Sequence, residues 1–266
     1  MYDCSVSRDV LSRLFGEDSI EEFCDKNSEF CRYDGFVGRI SPDEVKKRKK
    51  NSEWKLQIAE KYFKYFRFIP WVKFAAVCGS VSFMTAEEND DIDVFVIVQR
   101  NRLWLVRLME QIIFRLLGVR RRYSDKDVNN KMCFVYYTSF ENLKKTLSDA
   151  DFYVALEVAM MKPLYGKSLY GGILGLTDSI TSIFPGLSDD AVSVVGLGDK
   201  RTVFSPFLDI LDRVLMWGQK AYMIVRKHPY KEAVISRNEV QFFPRSSWFE
   251  IRKNKLDEKL QSYDLR

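Results

Sequence analysis

The stretch Phe74-Ala75-Ala76-Val77-Cys78-Gly79-Ser80, followed after a polar excursion by Asp91-Ile92-Asp93-Val94-Phe95-Val96-Ile97-Val98, decides how this chain reads. Two short apolar runs, rich in β-branched and aromatic residues and bounded by turn residues, predict two buried strands. Alternate residues of a strand share a face. Asp91 and Asp93 therefore project together, while Ile92 turns into the core. Two carboxylates on a rigid strand edge offer hard oxygen ligands suited to Mg²⁺ or Mn²⁺. A Gly79-Ser80 turn lets backbone N–H groups approach a phosphate, because glycine carries no side chain. Ser80 has two readings at the same place: a hydroxyl for a phosphate oxygen, or a cap for a short helical turn. The excursion 81–90 predicts that turn and then a loop, with Glu87, Glu88 and Asp90 facing solvent. Together these residues read as a site for a metal-bound nucleoside triphosphate.

The order of apolar strand, Gly-Ser, about ten residues, Asp-x-Asp and apolar strand resembles the nucleotidyltransferase superfamily. That superfamily includes DNA polymerase β, kanamycin nucleotidyltransferase and the minimal nucleotidyltransferases. The clear match covers residues 70–98. A looser one continues to residue 166 through Trp104-x-x-Arg107, Asn130-Lys131-Met132-Cys133, Ala155-Leu156-Glu157 and Lys162-Pro163-Leu164, similar to bacterial and archaeal nucleotidyltransferase-domain proteins. The resemblance implies an α+β fold: a mixed, nucleotidyltransferase-like sheet flanked by helices, with an N-terminal helical cap and a C-terminal helical portion. It also implies transfer of a nucleoside monophosphate from a nucleoside triphosphate to a hydroxyl acceptor, releasing pyrophosphate. Asp91 and Asp93 would hold Mg²⁺ or Mn²⁺, and Gly79 and Ser80 the phosphates. The acceptor is a small molecule, a protein side chain or, ranked below these, an RNA end.

One element of that pattern is missing. The superfamily usually carries a third carboxylate on the strand after Asp-x-Asp, and Met132–Thr138 contains no acid. Asp125 and Asp127 lie in the turn before it. Glu157, in a helix predicted over 151–161 among apolar neighbours, is the alternative. A carboxylate so placed is a base tuned by burial or half of a structural ion pair, with Lys131 or an arginine as partner. The gap leaves a second reading open: a non-catalytic nucleotide-binding or protein-interaction protein on the same fold.

Composition bounds the rest. The chain has 266 residues, of which 46% are hydrophobic, enough for a sizeable core. Its 42 basic and 37 acidic residues give a net charge of +5, which favours anionic ligands mildly and does not compel nucleic-acid binding. Cys4, Cys24, Cys31, Cys78 and Cys133 have no CxxC spacing, and His228 is the only histidine, so the sequence argues against a zinc site. Cys78 and Cys133 read as small core residues. The absence of a signal peptide or a membrane-length apolar run, together with this cysteine usage, points to a cytoplasmic protein.

Along the chain, three regions are expected: an N-terminal helical segment at 1–69 packing on the core, the core at 70–166, and a loop-rich and helical portion at 167–266. Residues 7–34 predict a broken helical cap. Ser41-Pro42-Asp43-Glu44 starts a helix to about Phe66, with a capping box between Ser41 and Glu44 and a core face of Trp54, Ile58, Tyr62, Phe63 and Phe66. Its Lys46–Lys50 run is a solvated face or a contact for polyphosphate or RNA. Asn101–Leu117 predicts a helix with a Leu105, Leu108, Ile112, Leu116 stripe, leaving Arg107 for a surface salt bridge or the active site. Residues 119–124 predict a strand whose Arg120, Arg121 and Arg122 either protect an edge or bind polyphosphate. Lys162–Gly166 predicts a turn. Ser205 to Arg226 predicts a helix laying Phe207, Ile210, Leu211, Val214, Leu215 and Trp217 on the core. His228 reads as a helix cap, and Ser247-x-x-Glu250 as the start of a last, charge-rich helix.

Overall fold

The computed structural model describes residues 6–26, 36–37, 41–122, 124–148, 152–192, 205–225 and 234–241. His228 and the helix expected from Ser247 lie outside the described residues. A two-residue strand β1 (Val6–Ser7) pairs with β2 (Phe36–Val37). Between them lie α1 (Arg8–Phe15) and α2 (Glu17–Lys26), separated by Gly16 at φ 88°. The 22-residue α3 (Pro42–Phe63) follows, then a 3-10 turn, then β3 (Val72–Cys78), the single turn α4 (Gly79–Ser82) and β4 (Ile92–Val98). Next come α5 (Leu103–Leu116), β5 (Met132–Thr138), α6 (Phe140–Ser148), α7 (Phe152–Met160) and β6 (Lys162–Tyr165). The short α8 (Tyr170–Leu174) and α9 (Asp178–Ile183) precede α10 (Ser205–Val225) and the hairpin of β7 (Val234–Ile235) and β8 (Glu239–Gln241).

The fold is α+β. A six-stranded mixed sheet runs in the order β6-β3-β4-β5-β8-β7. β4 is parallel to β5, and the other neighbours are antiparallel. Both faces are covered. Ile92, Val94 and Val96 of β4 pack with Ala59 and Phe63 of α3 and with Trp104, Val106 and Phe114 of α5. Phe95 and Ile97 point the other way, into a cluster with Ala155 and Val158 of α7, Ile173, Ile180, Phe184 and Leu14 of α1. Leu14 of α1 is buried in this second cluster, and the backbone of Gly186 comes too close to the Arg13 carbonyl for any side chain.

Several sequence expectations give way here. Residues 162–166 are not a turn: β6 pairs with β3, and Gly166, at φ 64°, passes so close to the Lys73 carbonyl that a Cβ would stand 2.2 Å from it. Among the described residues of 119–124 there is no strand, only a single parallel bridge from Arg120 to Met132. Trp54 is exposed, and the buried positions of α3 include Ser52 and Lys55 beside Ala59 and Phe63. Ser41 accepts a bond from the Glu44 N–H, but the Glu44 carboxylate takes Arg48 instead of closing the box.

The largest departure concerns α5 and α10. Of the predicted stripe of α5 only Leu105 is buried; Leu108, Ile112 and Leu116 face outward, Leu116 83% exposed, while Leu103, Trp104, Val106, Arg107, Glu110 and Phe114 are buried. Phe207, Ile210, Val214 and Trp217 of α10 are likewise exposed. The inward faces meet through polar groups. Asp212 of α10 accepts the Trp104 and Leu105 N–H groups at 2.8 and 3.0 Å, capping the start of α5 from a neighbouring helix. Burial pushes its carboxyl up, against those two bonds. Arg107 is no surface ion pair. It lies between the rings of Trp104 and Tyr137 and donates to Gln219.

Two substitutions at the ends of one turn of α5 test this inversion. Phe114→Ala is expected to cost about 3–5 kcal/mol, as for an aromatic ring removed from a full core. Leu116→Ala should change stability by less than about 0.5 kcal/mol, as at other open surface positions. Urea unfolding followed by circular dichroism reads both.

Candidate functional site

The strand pairing builds the site. Asp93 lies in the middle of three strands, with Cys78 of β3 and Cys133 of β5 as its Cα partners. Asp91 comes just before β4 and shares the face of Asp93, while Ile92 is fully buried on the opposite one. One carboxylate oxygen of each aspartate and the Cys133 sulfur lie within 4.8 Å of one another.

The Gly79-Ser80 turn closes over this group. Gly79 has φ 66°, a conformation that favours glycine, and a Cβ there would meet Asp93 Oδ2 at 2.7 Å. The site therefore depends on glycine twice, for the turn and for the room that Asp93 occupies. Ser80 does not cap the turn: it lies inside α4, whose cap position is Cys78 without a side-chain bond, and its hydroxyl donates to Asp90 Oδ2 at 2.8 Å, the same oxygen that accepts the Glu87 N–H at 3.0 Å. Asp90 is accordingly half-buried and structural rather than solvent-facing.

Glu157 arrives from α7 on the same face. Its Oε2 accepts the Gly79 N–H at 3.4 Å, so it stands at the turn that covers Asp93. It is not among the three close donors. Asp125 and Asp127 do not join them. Asp125 accepts from Lys131 Nζ and the Arg122 N–H, both at 2.9 Å, and Asp127 accepts the Asn129 N–H. Lys131, offered above as a partner for Glu157, is thus paired elsewhere.

Three acids in so small a space need cations. Arg121 supplies one, donating from Nη1 to Asp91 Oδ2 at 2.5 Å. Burial works against that guanidinium, and Asp91, then Cys133, outweigh it, so its proton is held more tightly than usual. Lys55 supplies the other from α3. Its ammonium is buried and donates to the Glu88 and Asp90 carbonyls and the Asn129 and Asn130 side-chain oxygens, at 2.9, 2.7, 3.1 and 3.1 Å. Neighbouring Ser52 accepts the Ala86 N–H at 3.0 Å. Together they fasten both loops that lead into β4 and β5. Sequence reasoning missed this pair because Lys55 sits where a helical pattern reads simply polar. A lysine spaced with Ala59 and Phe63 on the core face of α3 was the available signal.

Electrostatics single out Asp93. Burial first, then Asp91 and Glu157, raise its carboxyl well above the usual range, and Arg121 only partly opposes them. The thiols beside it move the same way: burial and the nearby carboxylates push Cys78 and Cys133 up. Cys133 is therefore a site residue rather than the plain core residue expected. Cys24, elsewhere, is disulfide-bonded, which the reading of reduced cysteines did not anticipate.

The chain matches no protein-family model, no curated protein and no solved structure. Among the described residues, no helix is long and apolar enough to cross a membrane.

The Asp93 environment has a consequence for stability. A carboxyl whose folded pKa is raised binds its proton more tightly in the native state than in the unfolded one. Its unfavourable ionisation is absent below the ordinary carboxylate range and grows as pH rises through the raised value. In EDTA, Asp93→Asn is expected to melt at a higher temperature than the native sequence at pH 8. The difference should shrink as pH falls to about 4. An equal or lower melting temperature at pH 8 would count against a strained Asp93.

Proposed function

We propose that this protein is a metal-dependent nucleotidyltransferase. It moves a nucleoside monophosphate from a nucleoside triphosphate to a hydroxyl acceptor. The observation that carries this reading is the convergence, from three separate segments, of Gly79, Asp91 with Asp93, and Glu157 on one end of the sheet. The strained Asp93 adds support, because ionisable groups held away from their preferred state concentrate at functional sites.

Asp91, Asp93 and Cys133 fit a divalent cation, since one donor atom from each lies close enough to the others to share it. Such a cation would neutralise the triphosphate and stabilise the charge that develops on transfer. Two carboxylates suit Mg²⁺ or Mn²⁺, and the Cys133 sulfur adds a soft donor that shifts preference towards Mn²⁺ or Zn²⁺. Gly79 gives the backbone close access to the phosphates. Ser80 would have to leave Asp90 to reach them. In the transfer step the acceptor oxygen bonds to the α-phosphorus as the bond to pyrophosphate breaks. Glu157 is placed to take the acceptor proton. Arg121 would release Asp91 to the cation and turn to the departing phosphates.

The non-catalytic reading has its own support. Cys133 stands on the strand where the resemblance leads one to expect a third acid, and Asp91 is already paired with Arg121.

An assay with each α-labelled nucleoside triphosphate, with Mg²⁺ or Mn²⁺ and with cell extract as a source of acceptors, separates the two. Transfer of label or release of pyrophosphate is expected, with a loss of at least about 100-fold in the Asp91→Asn and Asp93→Asn proteins. Metal-dependent nucleotide binding without turnover would establish the second reading instead. Cys133→Asp is further expected to raise activity with Mg²⁺ relative to Mn²⁺, because it replaces the soft donor by a hard one.

A further inference from the structure

The three consecutive arginines after α5 are divided between the two faces of the sheet. Arg121 crosses to Asp91. Arg120, pointing the other way, donates from Nε to Glu110 Oε1 at 2.7 Å and lies over the Phe134 ring. Extended backbone alternates its side chains in this manner. Arg120 and Arg122, with Arg115, Gly118, Lys131 and Asp125, line a polar cavity of about 190 Å³.

The cavity carries an excess of positive charge. Asp125 is its one carboxylate, and it is taken up by Lys131 and by the Arg122 N–H. Glu110 balances Arg120 from beneath and is itself fixed by the Tyr137 hydroxyl at 2.7 Å. Neither Arg115 nor Arg122 has a carboxylate within ion-pair distance among the described residues. Two exposed guanidiniums without carboxylate partners thus face a wall whose third guanidinium is already held in place. Gly118 ends α5 at φ 72° with open space beside it, so no side chain fills the opening there.

We propose that this cavity is a binding site for a phosphate group. Guanidinium forks match phosphate oxygens in pairs, and Arg115 and Arg122 offer theirs, while Arg120, with Nε on Glu110 and Nη1 on the Arg121 carbonyl, adds a fixed positive charge. The phosphate has two possible sources: a small polyphosphate, or one unit of a polynucleotide strand. A strand has more to bind, because Lys46, Lys47, Lys49 and Lys50 lie exposed on α3, whose Lys55 touches Asn129 and Asn130 next to Lys131. None of the residues that line the cavity belongs to the Asp91–Asp93–Cys133 cluster.

The test uses the full chain in EDTA at low salt. Tripolyphosphate is titrated calorimetrically, and a labelled 12-nucleotide RNA is titrated by fluorescence anisotropy at several salt concentrations. Arg115→Gln/Arg122→Gln is expected to weaken tripolyphosphate by about tenfold or more, as for loss of charge-assisted bonds. Arg115→Lys/Arg122→Lys should restore part of that loss. EDTA withholds the cation that the proposed catalytic site needs to take a triphosphate, which separates the two sites. For a polynucleotide source, RNA binds more tightly than tripolyphosphate. Lys47→Gln/Lys50→Gln then weakens RNA alone and lowers the salt slope by about 1 to 2. For a small-polyphosphate source, RNA binds no better and the lysine changes do nothing. Tripolyphosphate affinity equal in the native and Arg115→Gln/Arg122→Gln proteins, or no binding of either ligand at millimolar concentration, overturns the proposal.

Discussion

The buried ammonium of Lys55 is the contact on which the candidate site depends. It reaches from the core face of α3 to four oxygens in the two loops that deliver β4 and β5. A buried charge is tolerable only when its bonding capacity is met, and here an ammonium with three protons is shared among four acceptors. Burial pulls the Lys55 proton affinity down, while Asp90, Asp91 and Glu88 pull it back. The same charge therefore fixes the loop geometry and offsets the negative potential where Asp91 and Asp93 emerge. Arg121 performs the second half of that balance from the other side of Asp91. What remains uncompensated is Asp93, enclosed between Cys78 and Cys133 and covered by the Gly79 turn.

Alternation along extended backbone sorts the chemistry onto two faces. Asp91, Asp93, Cys133 and Arg121 stand on the face shared with α7, where Glu157 meets the Gly79 turn. Arg120 and Arg122 stand on the face shared with α5. A shift of one residue in register would exchange these sets and send the carboxylates into the apolar layer beneath α3. The fully buried Ile92, Val94 and Val96 on one side, and Phe95 and Ile97 on the other, oppose such a shift. The core thus specifies which face is acidic and which is basic.

The parts legible in sequence were those whose cause is local. β3, β4 and β5 show as apolar runs between turn residues, and the Gly79-Ser80 turn and the paired aspartates are fixed by spacing along one segment. Glu157 was identifiable by its place in an apolar helix. The failures share one physical origin, the burial of polar groups that have partners far away in sequence. Arg107, Glu110 and Asp212 take inward positions where Gln219, Arg120, Tyr137 and the first N–H groups of α5 bond them. A reading that equates apolar with inward then turns α5 and α10 around. β6 escaped notice because it is four residues long, contains Pro163, and exists through its pairing with β3. Cys133 looked like packing because nothing in its own strand tells that Asp93 will lie beside it.

Cys133 also bears on what the site is for. If the only requirement at that position were stability, an apolar residue of similar size would suit the space between β4 and α7 better than a thiol next to two carboxylates. The surrounding charge raises the thiol's proton affinity, so without a cation it remains a neutral, weak hydrogen-bonding group. A soft cation held by Cys133, Asp91 and Asp93 would draw on the thiolate and both carboxylates at once and would ease the repulsion that pushes the Asp93 carboxyl up.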